Sequence, residues 1–356
     1  MVQSKMAVLP TRKLKTDKLF LLSLSFLALV ALATTSDVRQ LFEDFVVKFG
    51  KKYQSKEEYW RRYHIFKESV LRHQQMNLGR TAGSALYGVN RFSDLTPAEF
   101  REKHLSTIKT DGRLHTSNVT GKNSAQSIYD PHYSFEVPSD VPPIWDWRKN
   151  KTVTAIRDQG SCGGCWAFSI VETIESQWSI AGHPLEEYSV QQVLDCDRTK
   201  GSHGCRGGDT CNALSWMNQT TANLVPKKDY PYTGKDGECR FFTNTTDSVH
   251  LTNYTCRGYE NHEDEMVRLL HGHSTLAIIV DATSWQDYLG GIIQHHCSHD
   301  YNNHAVQIVG YNIKGDVPYF IVRNSWGSSW GLDGYLHIRI GSNLCGVANQ
   351  VSTVSV

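Results

Sequence analysis

Long apolar runs are missing from most of this chain of 356 residues: after residue 32 none approaches the roughly 20 residues a spanning helix needs, so the body is not expected to enter a membrane. Net charge is nearly absent, with 37 Lys+Arg against 36 Asp+Glu. The basic residues after residue 141 are scattered and outnumbered, so no cationic stripe exists to track phosphates, and nucleic-acid binding is not expected. A glycine-rich phosphate loop is also missing, because Gly207-Gly208 adjoins Cys205 instead of following a strand. His295, His296, Cys297 and His299 match no metal-ligand spacing, and neither a metal nor a cofactor is expected. Cysteine is absent from the first 161 residues.

What is present is enough for a sizeable core: 40% of residues are hydrophobic and 21% charged, which suits more than one folding unit. Charge is unevenly spread. Residues 1–140 hold 21 Lys+Arg against 14 Asp+Glu, and residues 141–356 hold 16 against 22, so a basic first part could dock on an acidic body. Arg12, Lys13, Lys15 and Lys18 precede the apolar run Leu19–Leu32, and Ala31-Leu32-Ala33 offers small residues for cleavage. Residues 1–33 therefore read as a secretory signal peptide. That route permits disulfides and opens the sequons at Asn118, Asn150, Asn218, Asn244 and Asn253 to glycosylation.

Residues 37–105 read as a charged helical segment. Glu58, Arg62 and Phe66 share one helical face, the pattern runs on to Asn77, and the alternation Gly88-x-Asn90-x-Phe92-x-Asp94 suits a short strand. Residues 106–140 have the composition of a loose connector. Folding is expected to resume at Val141-Pro142-Pro143-Ile144-Trp145-Asp146-Trp147-Arg148.

The chemistry is expected at Gln159-Gly160-Ser161-Cys162-Gly163-Gly164-Cys165-Trp166-Ala167-Phe168. Trp166, Ile170, Ile174 and Trp178 recur at helical spacing as one apolar stripe, and Gly182 and Pro184 stop the helix. Cys165 would then sit at a helix N-terminus, where free N–H groups and the macrodipole favour a thiolate. All nine cysteines follow residue 141, and an odd count leaves one thiol free. The pair Cys162-x-x-Cys165 also admits a thiol–disulfide redox reading, although a loop precedes it where a redox motif wants a strand. Roughly 140 positions on, His304 opens the apolar run Ala305–Val309, and Asn324-Ser325-Trp326 ends the run Tyr319–Val322.

Cysteine, histidine and asparagine at these spacings, with the two propeptide patterns, resemble the papain-like cysteine proteases. Departures are Gly164, where the family has Ser or Ala, and Ser69 and His73, where its long helix has Asn and Ile. In the last third the likeness narrows to one branch through Val280-Asp281-Ala282, Ser284 to Cys297 and Ile321 to Trp330. The resemblance implies an α+β, two-domain fold with a cleft between a helical L domain (about 141–252) and an antiparallel β-barrel R domain (about 253–356), behind a helical inhibitory propeptide within 34–140. R-domain strands are expected at Leu276–Val280, Ala305–Tyr311, Tyr319–Arg323 and Tyr335–Ile340. It implies Cys165 as nucleophile, His304 as acid/base, Asn324 as its orienting amide, Gln159 as oxyanion donor and Trp326 as shield of the His304–Asn324 bond. Gly207 and Gly208 would bind substrate backbone, and Asp209, Thr210, Ile279, Ala305 and Gln350 would line the second subsite before the cut. Implied bridges are Cys162–Cys205, Cys196–Cys239 and Cys297–Cys345; Cys211 and Cys256 fall outside that scheme and are expected to pair because no other thiol is left. No insertion of the kind that makes some members exopeptidases is visible, so the resemblance implies a monomeric endopeptidase of the lysosome or extracellular space, acting on polypeptides and held by its propeptide and by cystatin-type inhibitors.

Overall fold

The computed structural model describes residues 37–106, 135–240 and 247–356. The expected signal peptide, most of the connector and the sequons at Asn118 and Asn244 lie outside the described residues. The chain divides into two compact units, 1–63 and 64–356, with the boundary inside one continuous helix. In the first unit, helix α1 (residues 37–48) and the opening turns of α2 (Lys56–Met76) gather around Phe42. Its ring lies 5.2 to 6.2 Å from those of Phe45, Tyr53, Tyr59 and Tyr63. Glu58 and Arg62 form the expected pair one turn apart, at 3.8 Å.

The second unit continues α2 into a short strand, β1 (Leu86–Tyr87), and helix α3 (Pro97–His104). Asn77 fixes the turn between α2 and β1: its side chain donates to Tyr87 O at 2.7 Å and accepts from Tyr87 N at 3.1 Å. The strand expected over Gly88–Asp94 is not formed, and this is a correction. Asn90 Oδ1 accepts from Phe92 N (2.9 Å) and Asn90 N donates to Ser93 Oγ (3.0 Å), so side chains take the backbone groups that a ladder would need. Helix α3 starts where a capping box dictates, with Thr96 and Glu99 bonding each other's backbone and Pro97 in the first turn.

The remaining elements are β2 (Ile144–Asp146), α4 (Cys165–Ile180), α5 (Val190–Cys196), α6 (Thr210–Thr220), β3 (Asn253–Arg257), α7 (Glu263–Gly272), β4 (Leu276–Val280), β5 (Tyr288–Gly290), β6 (Ile292–Ile293), β7 (His304–Asn312), β8 (Tyr319–Arg323), β9 (Tyr335–Arg339) and β10 (Val351–Ser355). The main sheet runs β3-β10-β4-β7-β8-β9-β6, with β2 beside β7. One pair departs from the expected antiparallel pattern: β6 and β9 are parallel, Ile292 facing His337. Parallel pairing needs a long crossover, and β7 and β8 supply it. β1 pairs with β5, so the segment before the connector is sewn to the body by backbone bonds.

Two apolar cores result. One gathers α4, α5 and α6 around Trp166, Phe168, Val193 and Leu214, and takes in Ala277, Ile279 and Ala305 from the sheet. The other lies on the sheet's opposite side around Trp285, Tyr288, Phe320 and Trp330, and includes Tyr87, Phe92, Leu95 and Phe100. Helix α4 stands between sheet and helices. Its expected single stripe is therefore corrected: Cys165 through Ser176 are all buried. Two carboxylates in that span are neutralised by arginines, with Glu172 3.3 Å from Arg157 and 3.2 Å from Arg323, and Glu175 2.9 Å from Arg157.

Candidate active site

Helix α4 begins at Cys165 because Gly164 precedes it in a non-helical conformation without a side-chain cap. The first N–H groups of a helix have no partner inside it, and here those of Cys165 and Trp166 face the sulfur, joined by the N–H of Ala305. Cys165 is the free cysteine among the described residues and is fully buried. Its Sγ lies 3.3 Å from Oγ of Ser106. Burial pushes the thiol up from its ordinary value, more than the bonds from Ser106 and the three backbone groups pull it down. In this covered state burial thus favours the thiol over the thiolate.

Strand β7 opens at His304, whose Nε2 is 2.8 Å from Oδ1 of Asn324, just past the end of β8. The backbone N–H of Ser325 also donates to that Oδ1, at 2.8 Å. A backbone N–H can only donate, so the atom is the amide oxygen and His304 must carry its proton on Nε2. The lone pair is left on Nδ1, which has no hydrogen-bond partner among the described residues. Trp326 stacks on the imidazole at 4.7 Å and Trp285 meets it edge-on at 6.1 Å. Burial lowers the imidazole to about 4, against the opposing bond from Asn324, so it is neutral. Because Ala305 follows His304 directly, the backbone that delivers the imidazole also delivers an N–H to the sulfur.

Gln159 is held on every side. Its N donates to Ser325 O (2.8 Å), its O accepts from the Tyr232 hydroxyl (2.8 Å), and its Oε1 accepts from the Ser325 hydroxyl (2.6 Å). The amide nitrogen is thereby turned inward, where it donates to Cys162 O (2.9 Å) and His104 O (3.2 Å). Ser106 N donates to Asn303 O at 2.8 Å. The end of α3 and the two residues after it therefore occupy the donors around Cys165. Phe92 and Phe100 pack edge-on against Trp326 at 5.7 and 5.2 Å, and Arg91 bonds Asp158 and Trp326 O.

The residues expected at the second subsite are contiguous. Gln350 Nε2 donates to Thr210 Oγ1 (2.8 Å) and Asp209 Oδ2 (3.3 Å), its carbonyl accepts from Ile279 N (3.2 Å), and Ile279 is paired with Ala305 across β4 and β7. Asp209 caps α6 by accepting from Asn212 N at 2.8 Å. Gly208 has to be glycine: a Cβ there would lie 2.5 Å from the Trp166 ring. Gly207 adopts φ 117°, open to glycine alone at little cost. Disulfides join Cys162 to Cys205, Cys196 to Cys239, Cys211 to Cys256 and Cys297 to Cys345. Of the sequons, Asn150 and Asn253 are exposed and Asn218 is half-buried on α6. Among the described residues no cluster of His, Cys, Asp or Glu could hold a metal, and no helix is long and apolar enough to cross a membrane.

Sequence reasoning missed Ser106, Tyr232, Ser325 and the Arg157–Glu172–Glu175–Arg323 cluster. Ser325 was in view as a spacer between Asn324 and Trp326. Glu172 and Glu175 were the readable signal, being two carboxylates on an otherwise apolar helix.

Residues 141–355 match the profile described as papain family cysteine protease, and residues 42–100 match the cathepsin propeptide inhibitor domain. Cathepsin O of Homo sapiens is 44% identical over 298 residues, which cover 82% of this chain and 87% of that protein. Among solved structures, the digestive procathepsin L2 proteinase from Tenebrio molitor larval midgut superposes with a TM-score of 0.77 at 29% identity, covering 90% of this chain and 100% of that one. A recombinant stem bromelain precursor gives 0.74 at 30% identity, covering 90% and 99%.

Proposed function

Because this chain belongs to the papain family of cysteine proteases and carries the propeptide inhibitor domain ahead of its peptidase domain, we propose that it is an endopeptidase zymogen whose nucleophile is Cys165. The observation that carries the assignment of roles is the His304–Asn324 bond with its oxygen pinned by Ser325 N. It leaves Nδ1 as the basic nitrogen, on the residue next to the one whose N–H faces the sulfur. Once residues 104–106 leave, water returns and the proton of the thiol passes to Nδ1, giving a thiolate and an imidazolium. The thiolate attacks the scissile carbonyl and the C–N bond breaks as His304 gives that proton to the leaving amine. A water molecule, deprotonated by His304, then hydrolyses the thioacyl intermediate. The anionic oxygen of each tetrahedral intermediate is held by the Gln159 amide and the N–H of Cys165.

The same reading takes His104 O, on the Gln159 amide, and Ser106 Oγ, on Cys165, as the inhibitory contacts. Asp209, Thr210, Ile279, Ala305 and Gln350 would line the second subsite, with Gly207 and Gly208 offering backbone bonds to an extended polypeptide. The peptidase domain is taken as 141–356, divided near residue 252, after a signal peptide and a propeptide ending near 140. The four bridges and the reading of residues 1–33 as a signal peptide support a lysosomal or extracellular setting, and the enzyme is taken as a monomer open to cystatin-type inhibitors. Labelling acid-processed protein with a thiol-directed peptide epoxide, then mapping the adduct by mass spectrometry, tests the assignment. The expected adduct is on Cys165; turnover surviving in Cys165→Ser, or an adduct on another residue, overturns it.

A further inference from the structure

Three side chains meet where the long propeptide helix touches the body. Asp287 ends the short helical turn Thr283–Asp287 and is 1% exposed. Arg72 takes both of its oxygens, Nε on Oδ2 at 2.6 Å and Nη2 on Oδ1 at 3.0 Å. His73, the next residue, places Nε2 on Oδ1 at 3.0 Å, and since a carboxylate only accepts, His73 donates. Ser69, one turn earlier, accepts from Arg72 Nη2 at 3.1 Å and steadies the guanidinium. Burial alone would raise the carboxyl, yet the bonds from His73 and Arg72 outweigh it and hold the group below its usual range.

The neighbouring contacts carry no such particularity. Gly88 N bonds Asp287 O (2.9 Å), Asn90 Nδ2 bonds Gln286 O (2.7 Å), and Gln286 Nε2 bonds Phe92 O and Leu95 O (3.2 and 2.9 Å). These use backbone groups and the pattern Gly88-x-Asn90-x-Phe92, which any propeptide of the family kind could supply. By contrast, Ser69 and His73 are the two positions where this helix departs from the family pattern, and Asp287 lies in the stretch that marks the branch. Of these two departures, His73 meets the buried Asp287 directly and Ser69 holds the guanidinium of Arg72 that does the same.

We infer that Asp287 is the residue by which this peptidase selects its own inhibitory segment, with Arg72 and His73 as the matching key. The inference rests on the reading of that segment as the inhibitor of Cys165. A foreign propeptide bringing Ile at the position of His73 and no cation at that of Arg72 would bury Asp287 without partners. An unpaired buried carboxylate is strongly unfavourable, so the contact rejects wrong segments as well as favouring the right one. In the processed enzyme the carboxylate meets water and the selection costs the catalyst nothing.

The test uses the full-length precursor. Arg72→Ala and His73→Ile both lie in the part removed by processing, so the mature enzyme from these two substitutions keeps the wild-type sequence. The readout is the rate at which a thiol-directed peptide epoxide labels Cys165 in the intact precursor at neutral pH. Labelling should rise about tenfold to a hundredfold in the double variant, and His73→Ile, although a return to the family residue, should loosen the segment. Adding Asp287→Leu to the double variant removes the stranded charge and should restore most of the protection. Unchanged labelling in the double variant overturns the inference, as does a loss of protection that Asp287→Leu fails to relieve. Should Arg72→Ala not accumulate as folded protein, Arg72→Gln with His73→Ile is read the same way. Failure of the processed wild type to label at Cys165 would instead sink the nucleophile assignment, a separate outcome.

Discussion

The hydroxyl of Ser325 donates to Oε1 of Gln159 across 2.6 Å, and both side chains are buried. An amide can be rotated by half a turn at little steric cost, but this bond makes one orientation correct, with nitrogen toward Cys162 O and His104 O. Preorganised donors are worth most where developing charge appears. Gln159→Ala should therefore lower kcat/KM of the processed enzyme about a hundredfold, and Ser325→Ala, which loosens the amide without removing it, about fivefold to tenfold. Steady-state kinetics on a fluorogenic peptide decides; a larger loss for Ser325→Ala than for Gln159→Ala would reverse the roles.

Acid should open the precursor through its histidines. Burial holds His104 and His304 at about 4, well below the ordinary 6.5. A histidine depressed in the closed form binds more protons once released, so the closed form loses stability as pH falls from 6.5 toward 4, and the loss is complete below 4. His104 belongs to the departing segment, its ring 4.6 Å from that of Phe92 and tilted by 48° to it. Cys165 labelling in the intact precursor should accelerate through that window, and His104→Phe should flatten the profile. A profile unchanged by that substitution would move the trigger elsewhere.

Specificity at the second subsite should be unusually polar. Gln350 spans Thr210 and Asp209, leaving a hydrogen-bonded wall where an aliphatic P2 side chain would want apolar contact. A peptide-library profile should not be dominated by Leu or Phe at P2. Gln350→Leu should shift it toward them by roughly tenfold.

The buried arginine of β8 should be structural. Arg323 is 0% exposed and bonds Ala155 O (2.6 Å), Thr154 Oγ1 (3.0 Å) and Glu172 (3.2 Å). Arg323→Met would leave Arg157 as the one arginine on Glu172 and Glu175, at a cost of about 3–5 kcal/mol. For a body of this size that is a fall of roughly 10 °C in Tm, read by calorimetry on the precursor.

Much of this could be read along the chain because the chemistry is written in short local patterns. Gly164 and Cys165 announce a helix start, and the runs Leu276–Val280 and Tyr319–Arg323 became strands with those bounds. Reading failed where one group satisfies another far away. Asn90 turned an alternating strand pattern into a turn by bonding Phe92 N. Glu172 and Glu175 are buried on α4 because Arg157 and Arg323, from distant segments, meet them. Ser106 read as the first residue of a loose connector, yet it sits against the sulfur. No periodicity encodes such meetings.

Tyr87, Phe92, Leu95 and Phe100 are part of the same apolar core as Trp285, Phe320 and Trp330. When the segment is cut away, the sheet keeps a greasy wall it was assembled against but no longer owns. The active enzyme is thus the survivor of a larger folded whole, and its working lifetime is set by how slowly the part that remains unfolds.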